Sequence, residues 1–355
     1  MKILVIQQKM IGDVLISSII CNNLRIAYPE AQIDYLIYPF TKPAVENNPN
    51  IDTIILFEES VRKSKIAFLK FIISIRKSKY DIVIDAYSKI ESKLITFFSG
   101  APKRIGYKQK DYFNAYNIKV EHINKPKTIA GLAIERRENL FKPLMNTTPI
   151  DNHPKLFLTD SEKKDALSLL KKHDIDVQND AVIMLSVLGS EENKTYPIPY
   201  LVEVINTIAC QPKVKLLFNY MPKQLDEIKK IYNQCSEEAK SKIELDIIGS
   251  NLRSFMGIMY YCKIIIGNDG GAVNIAKALN KPSFTIFSPW IQKESWSIFE
   301  DGIFHKAVHV NDYFPEIIST HSRKELKKNY QEYYKMLKPS VIKNELTNFL
   351  ENHIK

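Results

Sequence analysis

No apolar run in this chain approaches the roughly 18 residues that a membrane-crossing helix needs, so no transmembrane span is expected. The opening MKILVIQQ passes straight from a short apolar run into polar residues. It offers no small-residue cleavage site and does not read as a signal peptide. Cysteine is sparse: Cys21, Cys210, Cys235 and Cys262 are scattered and form no C-x-x-C pair, so reduced thiols in a cytoplasmic protein are expected. Glycine is sparse too, with 11 in 355 residues, which alongside 45% hydrophobic residues excludes collagen-like and low-complexity chains. Also missing are G-x-S-x-G, a P-loop and G-x-G-x-x-G, which argues against hydrolase, NTPase and dinucleotide-oxidoreductase classes. His305 and His309 have the i,i+4 spacing of a helical metal pair. HKAVHV nevertheless alternates like a strand and has no carboxylate-rich partner motif, so no metal is expected.

Acidic residues are what the first half has little of. Residues 1–150 carry 23 Lys+Arg against 14 Asp+Glu, whereas residues 151–355 carry 27 against 26. The net charge of +10 therefore sits almost wholly in the first half, which suits an anionic partner: a phosphorylated glycolipid, a membrane surface or nucleic acid. Much of it falls in VRKSKIAFLKFIISIRKSKYD. There Ile66, Phe68, Leu69, Ile72 and Ile73 make an apolar stripe among Arg62, Lys63, Lys65, Lys70, Arg76, Lys77 and Lys79. Such a helix rests on an anionic membrane or packs with a solvated charged face. Further on, APKRIGYKQKDYF reads as a strand and a basic, aromatic loop containing Lys103, Arg104, Tyr107, Lys108 and Lys110.

Strand-like and helix-like segments alternate twice along the chain. Lys2–Ile6, Gln32–Ile37, Thr53–Phe57 and Ile82–Asp85 read as strands, with helices from about Asp13, in the basic segment, from about Ser88, and from Thr128 to about Phe141, where Pro143 stops it. Met145–Pro154 is turn-rich and reads as the linker. After a polar helix at Ser161–His173, a second series runs from Ala181 to Phe287, and the tail from Ser322 is helical in two pieces broken at Pro339. At 355 residues the expectation is an α/β protein of two doubly wound, Rossmann-like domains facing a cleft. Their expected bounds are residues 1–150 and 151–320, with helices over 321–355.

Chemistry is expected where strands end in polar loops. The apolar run Ile264–Ile266 stops at Gly267, and Asn268, Asp269, Gly270 and Gly271 make a turn into a helix from Ala272. A helix N-terminus behind two glycines gathers backbone N–H groups that hold a phosphate; the alternative is an ordinary connection in which Asp269 caps the helix. Ser190 and Lys194, in the loop LGSEENKTYP beyond the strand AVIMLSV, offer a hydroxyl and an ammonium to a diphosphate, or else belong to a solvated loop balanced by Glu191 and Glu192. Asp13 follows Gly12 at a helix start, where a carboxylate serves as a base or merely as a cap.

Three stretches taken in order resemble the ADP-heptose:lipopolysaccharide heptosyltransferase family: KILVIQQKMIGDVLISSIICNNLRIAYPEAQIDYLI, SVLGSEENKTYP and IIIGNDGGAVNIAKALNKPSFTIFSPW. YDIVIDAYSK and KRIGY are also similar to family positions, so the likeness covers roughly residues 1–290. The resemblance implies a GT-B fold whose first domain (1–150) binds the acceptor and whose second (151–320) binds a nucleotide sugar. C-terminal helices (321–355) would return toward the first domain. It implies inverting, metal-independent transfer with no cofactor beyond the nucleotide-sugar donor, with ADP the nucleotide that the family name suggests. Asp13 falls at the family's catalytic carboxylate, Ser190 and Lys194 at its donor-phosphate contacts, and Asp269, Gly270 and Gly271 at its diphosphate turn. Gly270 replaces a usual Thr, Asn274 replaces a usual His, and Phe218-Asn219 replaces a Gly-Gly. The acid that helps to hold the nucleoside falls near Lys223-Gln224. Those departures concern the identity of the donor.

The expected activity is transfer of heptose or a related sugar to a lipopolysaccharide-type or other cell-surface acceptor. Candidate acceptor contacts are Lys103, Arg104 and Tyr107. The expected setting is the cytoplasmic side of the inner membrane, with peripheral contact. Another GT-B activity (a nucleotide-sugar epimerase or hydrolase) and a non-catalytic anion-binding protein are the competing classes. Nucleic acid is not an expected partner, because no recognisable nucleic-acid motif accompanies the basic half.

Overall fold

The computed structural model describes residues 1–109, 114–146, 148 and 150–354. Lys110, Thr147, Pro149 and Lys355, which belong to the basic segment, the expected linker and the tail, lie outside the described residues. The chain divides into two compact units, Met1–Phe157 and Leu158–Lys355. Each is an α/β body around one parallel sheet.

In the first unit the strands are β1 (Lys2–Ile6), β2 (Gln32–Ile37), β3 (Thr53–Leu56), β4 (Ile82–Asp85), β5 (Lys103–Tyr107) and β6 (Ile118–Val120), in the order β3-β2-β1-β4-β5-β6. The second unit has β7 (Ala181–Ser186), β8 (Val214–Phe218), β9 (Ile243–Glu244), β10 (Ile264–Asn268), β11 (Ser283–Ile286) and β12 (His305–Val308), in the order β12-β11-β10-β7-β8-β9. The central strands are unbroken Ile/Leu/Val runs because helices cover both faces of the sheet, so no position can alternate to polar. Ile3, Leu4, Val5 and Ile6 are all buried, as are Ile264, Ile265 and Ile266.

In both sheets the strand order reverses beside the first strand of the unit, between β1 and β4 and between β7 and β10. Doubly wound sheets bind ligands in the crevice at the carboxyl ends of such a pair. Asp13 lies just past β1, and the Gly189–Thr195 loop and the Asp269–Gly271 turn lie just past β7 and β10. Each expected centre therefore sits at a switch point.

Several expectations need correction. The basic segment is two helices, Glu59–Lys63 and Lys65–Lys77, because Ser64 is extended and its hydroxyl accepts the Ala67 N–H at 3.2 Å, starting a new helix. Its apolar stripe is divided: Ile72 and Ile75 enter the core, while Ile66, Leu69 and Ile73 point outward. Pro143 does not stop its helix, which runs Gly131–Met145; a proline in the last turn removes only one terminal N–H bond. The tail is three helices, Arg323–Lys328, Tyr330–Met336 and Pro339–His353, with Pro339 at the first turn of the last, where its missing N–H costs nothing. That last helix buries Ile342, Leu346, Phe349 and Leu350 in the core of the second unit. All four cysteines are free. Among the described residues no helix is long and apolar enough to cross a membrane.

Asn268, fully buried at the end of β10, ties the second switch point together. Its Nδ2 donates to the Ser186 and Val187 carbonyls, each at 2.9 Å, and its Oδ1 accepts the Tyr196 N–H at 2.7 Å. Gly267 before it has φ +130, and a Cβ there would stand 2.4 Å from the Ser186 oxygen, so only glycine lets the two strands meet this closely. Replacing Asn268 by Ala orphans three backbone groups and is expected to cost on the order of 3 kcal/mol. Asn268→Asp, which sets a carboxylate against two carbonyls, is expected to destabilise comparably. Urea midpoints of the three proteins check both, and a midpoint unchanged in Asn268→Ala contradicts the clamp.

Candidate functional site

In the first unit the site is built on the helix Ile11–Ala27. Asp13 occupies its first turn, and its Oδ2 accepts the Met10 N–H across a long 3.4 Å. The cap expected there is present but weak. The stronger partner is Arg137, whose Nη2 lies 2.8 Å from Asp13 Oδ1. The Arg137 side chain is only 9% exposed, and its remaining donors reach Ser17 Oγ at 3.0 Å and the Ala133 carbonyl at 3.1 Å. Asp13 itself is 21% exposed. A carboxylate is thus held in one orientation by a buried guanidinium while staying open to solvent.

Asp85, at the end of β4, shapes the neighbouring loop. It accepts the Tyr87 and Ser88 N–H groups at 3.0 and 2.8 Å and the Tyr116 hydroxyl at 2.7 Å, while burial pushes its carboxyl above the ordinary range. The residues expected on β5 part company. Strand register sets Gly106 level with Asp85, which in turn is level with Ile6, so Tyr107 reaches the carboxyl edge of the sheet where Asp13 lies. Its buried phenol is pushed up to about 12 and feels the charges of Arg137 and Asp13. Lys103 begins β5 at the opposite edge, level with Ile82. Arg104 spends its guanidinium on the Ala115 and Ala101 carbonyls, at 2.9 and 3.0 Å. Of the three expected acceptor contacts, only Tyr107 is brought to Asp13.

In the second unit, the helix Gly271–Ala278 begins directly after the turn, with Gly270 at its cap position and no side chain capping it. Asp269 is therefore not the helix cap. Burial raises its carboxyl to about 6 against the pull of Lys194 and Lys277. Lys277 is lowered to about 8, again by burial, and donates to the Ile298 carbonyl. Gly270 has extended backbone, and a Cβ there would meet nothing within 4 Å. The chain imposes no glycine at this point, and the space above the turn is open. Asn274 is half-buried in the first turn of the same helix.

Loop Gly189–Thr195 is pinned from several sides. The Asn193 carbonyl accepts the Ser288 hydroxyl at 2.6 Å and the Trp290 indole N–H at 3.1 Å, and Thr195 Oγ1 accepts the Gly189 N–H at 3.0 Å. Ser190 is exposed at the loop tip. Lys194 Nζ lies 5.5 Å from the centroid of the Trp290 ring, where Arg323 and Lys327 also gather at 5.1 and 4.4 Å. Glu191 pairs with Lys327 at 3.2 Å. Three cations around one indole, with one carboxylate beside them, leave an excess of positive charge next to the loop. Phe218, where the resemblance expects glycine, is a core residue at the end of β8, and Lys223 and Gln224 lie in a short 3-10 turn beyond it. A cavity of about 570 Å³ also opens here, lined by Glu192, Thr195, Tyr196, Tyr200, Glu227 and Tyr330 among others. His305 and His309, both buried, bond to Ser283 Oγ and to the Ser288 and Pro289 carbonyls.

Sequence reading missed Arg137, Arg323 and Lys327. One signal existed for the first: Arg137 falls on the stripe formed by Ala133, Ile134, Leu140, Phe141 and Leu144, and a charge on an apolar helix face needs a partner.

Comparison with known proteins bears on this geometry. The sequence model of glycosyltransferase family 9 (heptosyltransferase) matches residues 68–298, more than half of the chain. A curated relative, lipopolysaccharide heptosyltransferase 1 of Campylobacter coli, is 27% identical over 316 residues, 81% of this chain and 84% of its own. A glycosyltransferase family 9 structure from Veillonella parvula superposes with a TM-score of 0.80 at 19% identity, covering 99% of this chain and 97% of that one. The ADP-heptose lipopolysaccharide heptosyltransferase II of Escherichia coli gives 0.68 at 18% identity, over 95% and 99%. The fold is of the GT-B type, as the resemblance implied.

The Asp269 carboxyl gives a test of the electrostatics. Its folded value of about 6 lies above the ordinary carboxylate value, so the folded chain keeps a proton that the unfolded chain releases. The associated stability is full below about 4 and is lost as pH rises through about 6. Wild type is therefore expected to lose stability relative to Asp269→Asn between pH 4.5 and 7 in urea melts. A wild-type stability that stays constant relative to Asp269→Asn across that window, or rises with pH, contradicts the burial.

Proposed function

The chain belongs to glycosyltransferase family 9, and from that premise we propose that it is an inverting, metal-independent transferase. It moves heptose or a related sugar from a nucleotide-diphosphate donor to a lipopolysaccharide-type glycolipid. The names of its relatives supply the substrate classes: one is a lipopolysaccharide heptosyltransferase and another carries ADP-heptose in its name. ADP-heptose is accordingly the first donor to try. The acceptor places the enzyme on the cytoplasmic side of the inner membrane, in peripheral contact with it.

One observation carries the reading: a solvent-reachable carboxylate held at 2.8 Å by a buried arginine at the switch point of the first sheet. Asp13 takes the proton from the acceptor hydroxyl as its oxygen attacks the anomeric carbon, and the bond from that carbon to the diphosphate oxygen breaks. Arg137 is a positioning residue, because it fixes the carboxylate and does not itself meet substrate. Tyr107, a neutral phenol at the same edge, suits a hydroxyl-bearing acceptor. In the second unit, Lys194, Ser190, Asn274 and the Gly270 and Gly271 amides receive the donor, and the charge that grows on the departing diphosphate is met by Lys194 and the uncapped helix N-terminus. Arg323 and Lys327 add to the same positive field.

A thermal-shift panel of ADP, UDP, GDP and CDP tests the donor side. One diphosphate is expected to stabilise the chain in preference to the others, with the shift reduced in Lys194→Ala; no shift with any of them contradicts a nucleotide-sugar site. Asp13→Ala and Asp13→Asn are expected to lower transfer at least about 100-fold while leaving the diphosphate shift intact. Arg137→Ala is expected to lower kcat about 10- to 100-fold with the donor KM nearly unchanged. Normal turnover in Asp13→Asn removes the carboxylate from the mechanism.

A further inference from the structure

The helix Lys65–Lys77 carries two different apolar faces. Ile72 and Ile75 enter the core of the first unit, with Phe68 and Phe71 packed against it. Ile66, Leu69 and Ile73 lie on the outer side and are 70%, 58% and 43% exposed. Their spacing of three and four residues sets them in one row along the helix. A large aliphatic side chain left in water is unremarkable singly; three in a row form a patch that calls for an occupant.

The charges around the row identify that occupant. The helix KIAFLKFIISIRK contains no acidic residue. On a helical wheel Lys70 and Lys77 fall along one flank of the row, and Lys65 and Arg76 along the other. Lys65, Lys70 and Lys77 have no ion-pair partner among the described residues, in contrast to Arg62 and Lys63 of the preceding helix, which pair with Glu91 and Glu59. Arg76 lies against the Phe98 carbonyl at 3.4 Å, and Phe98 is itself exposed at the end of the next helix. Long basic side chains beside an apolar row place their ammonium groups at the phosphate level while the aliphatic residues enter the acyl boundary. A second protein surface would have to supply acids on both flanks of a narrow row. A membrane of anionic lipid supplies negative charge over its whole area.

We propose that the outer face of the Lys65–Lys77 helix, through Ile66, Leu69 and Ile73 and the flanking Lys65, Lys70 and Lys77, docks the chain on an anionic phospholipid surface. The inference deepens the proposed function, resting on its glycolipid acceptor, and assigns the face that meets the lipid. Each flanking lysine contributes about a fivefold gain in vesicle affinity at low ionic strength. The attraction weakens as salt shortens the Debye length.

The test is co-sedimentation of the full chain with vesicles of pure phosphatidylcholine and of phosphatidylcholine with phosphatidylglycerol, without donor or acceptor. Binding is expected only to the anionic vesicles, falling with added salt. It is expected to drop at least about tenfold in Leu69→Asp/Ile73→Asp and in Lys70→Glu/Lys77→Glu. Ile303→Asp, which alters an equally exposed isoleucine of the second unit, is expected to bind as wild type does. The substituted positions are at the surface, so melting temperatures should stay close to wild type. Equal binding to neutral vesicles, binding that survives Leu69→Asp/Ile73→Asp, or no binding at all overturns the proposal. So does a wild-type dimer in sedimentation velocity that this double substitution dissociates, because the row would then cover a second copy. The nucleotide-diphosphate shifts of the face variants should match wild type, so failure on vesicles and failure of the donor reading are separately visible.

Discussion

A guanidinium cannot give up its charge, so once folding buries Arg137 the surrounding structure must supply a partner. That requirement organises the first unit around its switch point. The helix Gly131–Met145 presents Arg137 inward among apolar neighbours, and the helix Ile11–Ala27 answers with Ser17 and Asp13. The carboxylate consequently has one orientation while part of it still meets water. A residue that only capped a helix would need no such support. The arrangement also explains why charge and orientation at Asp13 are separable: an asparagine there can still accept from Arg137, whereas alanine leaves a buried cation unpaired.

The second unit reaches comparable order with a neutral group. Asn268 spends its amide on three backbone partners from β7 and the loop beyond it, which brings Lys194 and the turn at Gly270 into one field. Within that field Asp269 is raised and Lys277 lowered, both by burial. A Cβ at Gly270 would meet nothing within 4 Å, and the helix that starts behind it carries no side-chain cap. Positive charge continues across Trp290 to Arg323 and Lys327, so the field is wider than the two loops alone would make it.

Much of this was legible in the sequence because buried parallel strands are continuous apolar runs, and because Asp13, Ser190, Lys194 and Asp269–Gly271 each belong to a short local pattern. The three-residue β6, only partly buried, leaves no such run and was not anticipated. Nor was the break at Ser64, where one hydroxyl decides between a continuous helix and two. Arg137 lies 124 residues from the carboxylate it holds, and only the fold reveals that pairing. Arg323 and Lys327 read as ordinary surface lysine-rich helix until Trp290 is seen beside them. Lys103 and Arg104 misled because a basic composition says nothing about which end of a strand faces the crevice; the register of β5 decides it.

A single carboxylate base acting on the acceptor requires one displacement at the anomeric carbon. Donor of known anomeric configuration should be turned over with acceptor, and the configuration of the new glycosidic bond read from its one-bond carbon–proton coupling. Inversion is the result that this account predicts. Retention would require a second displacement or attack from the face that the diphosphate leaves, and would contradict the role given to Asp13.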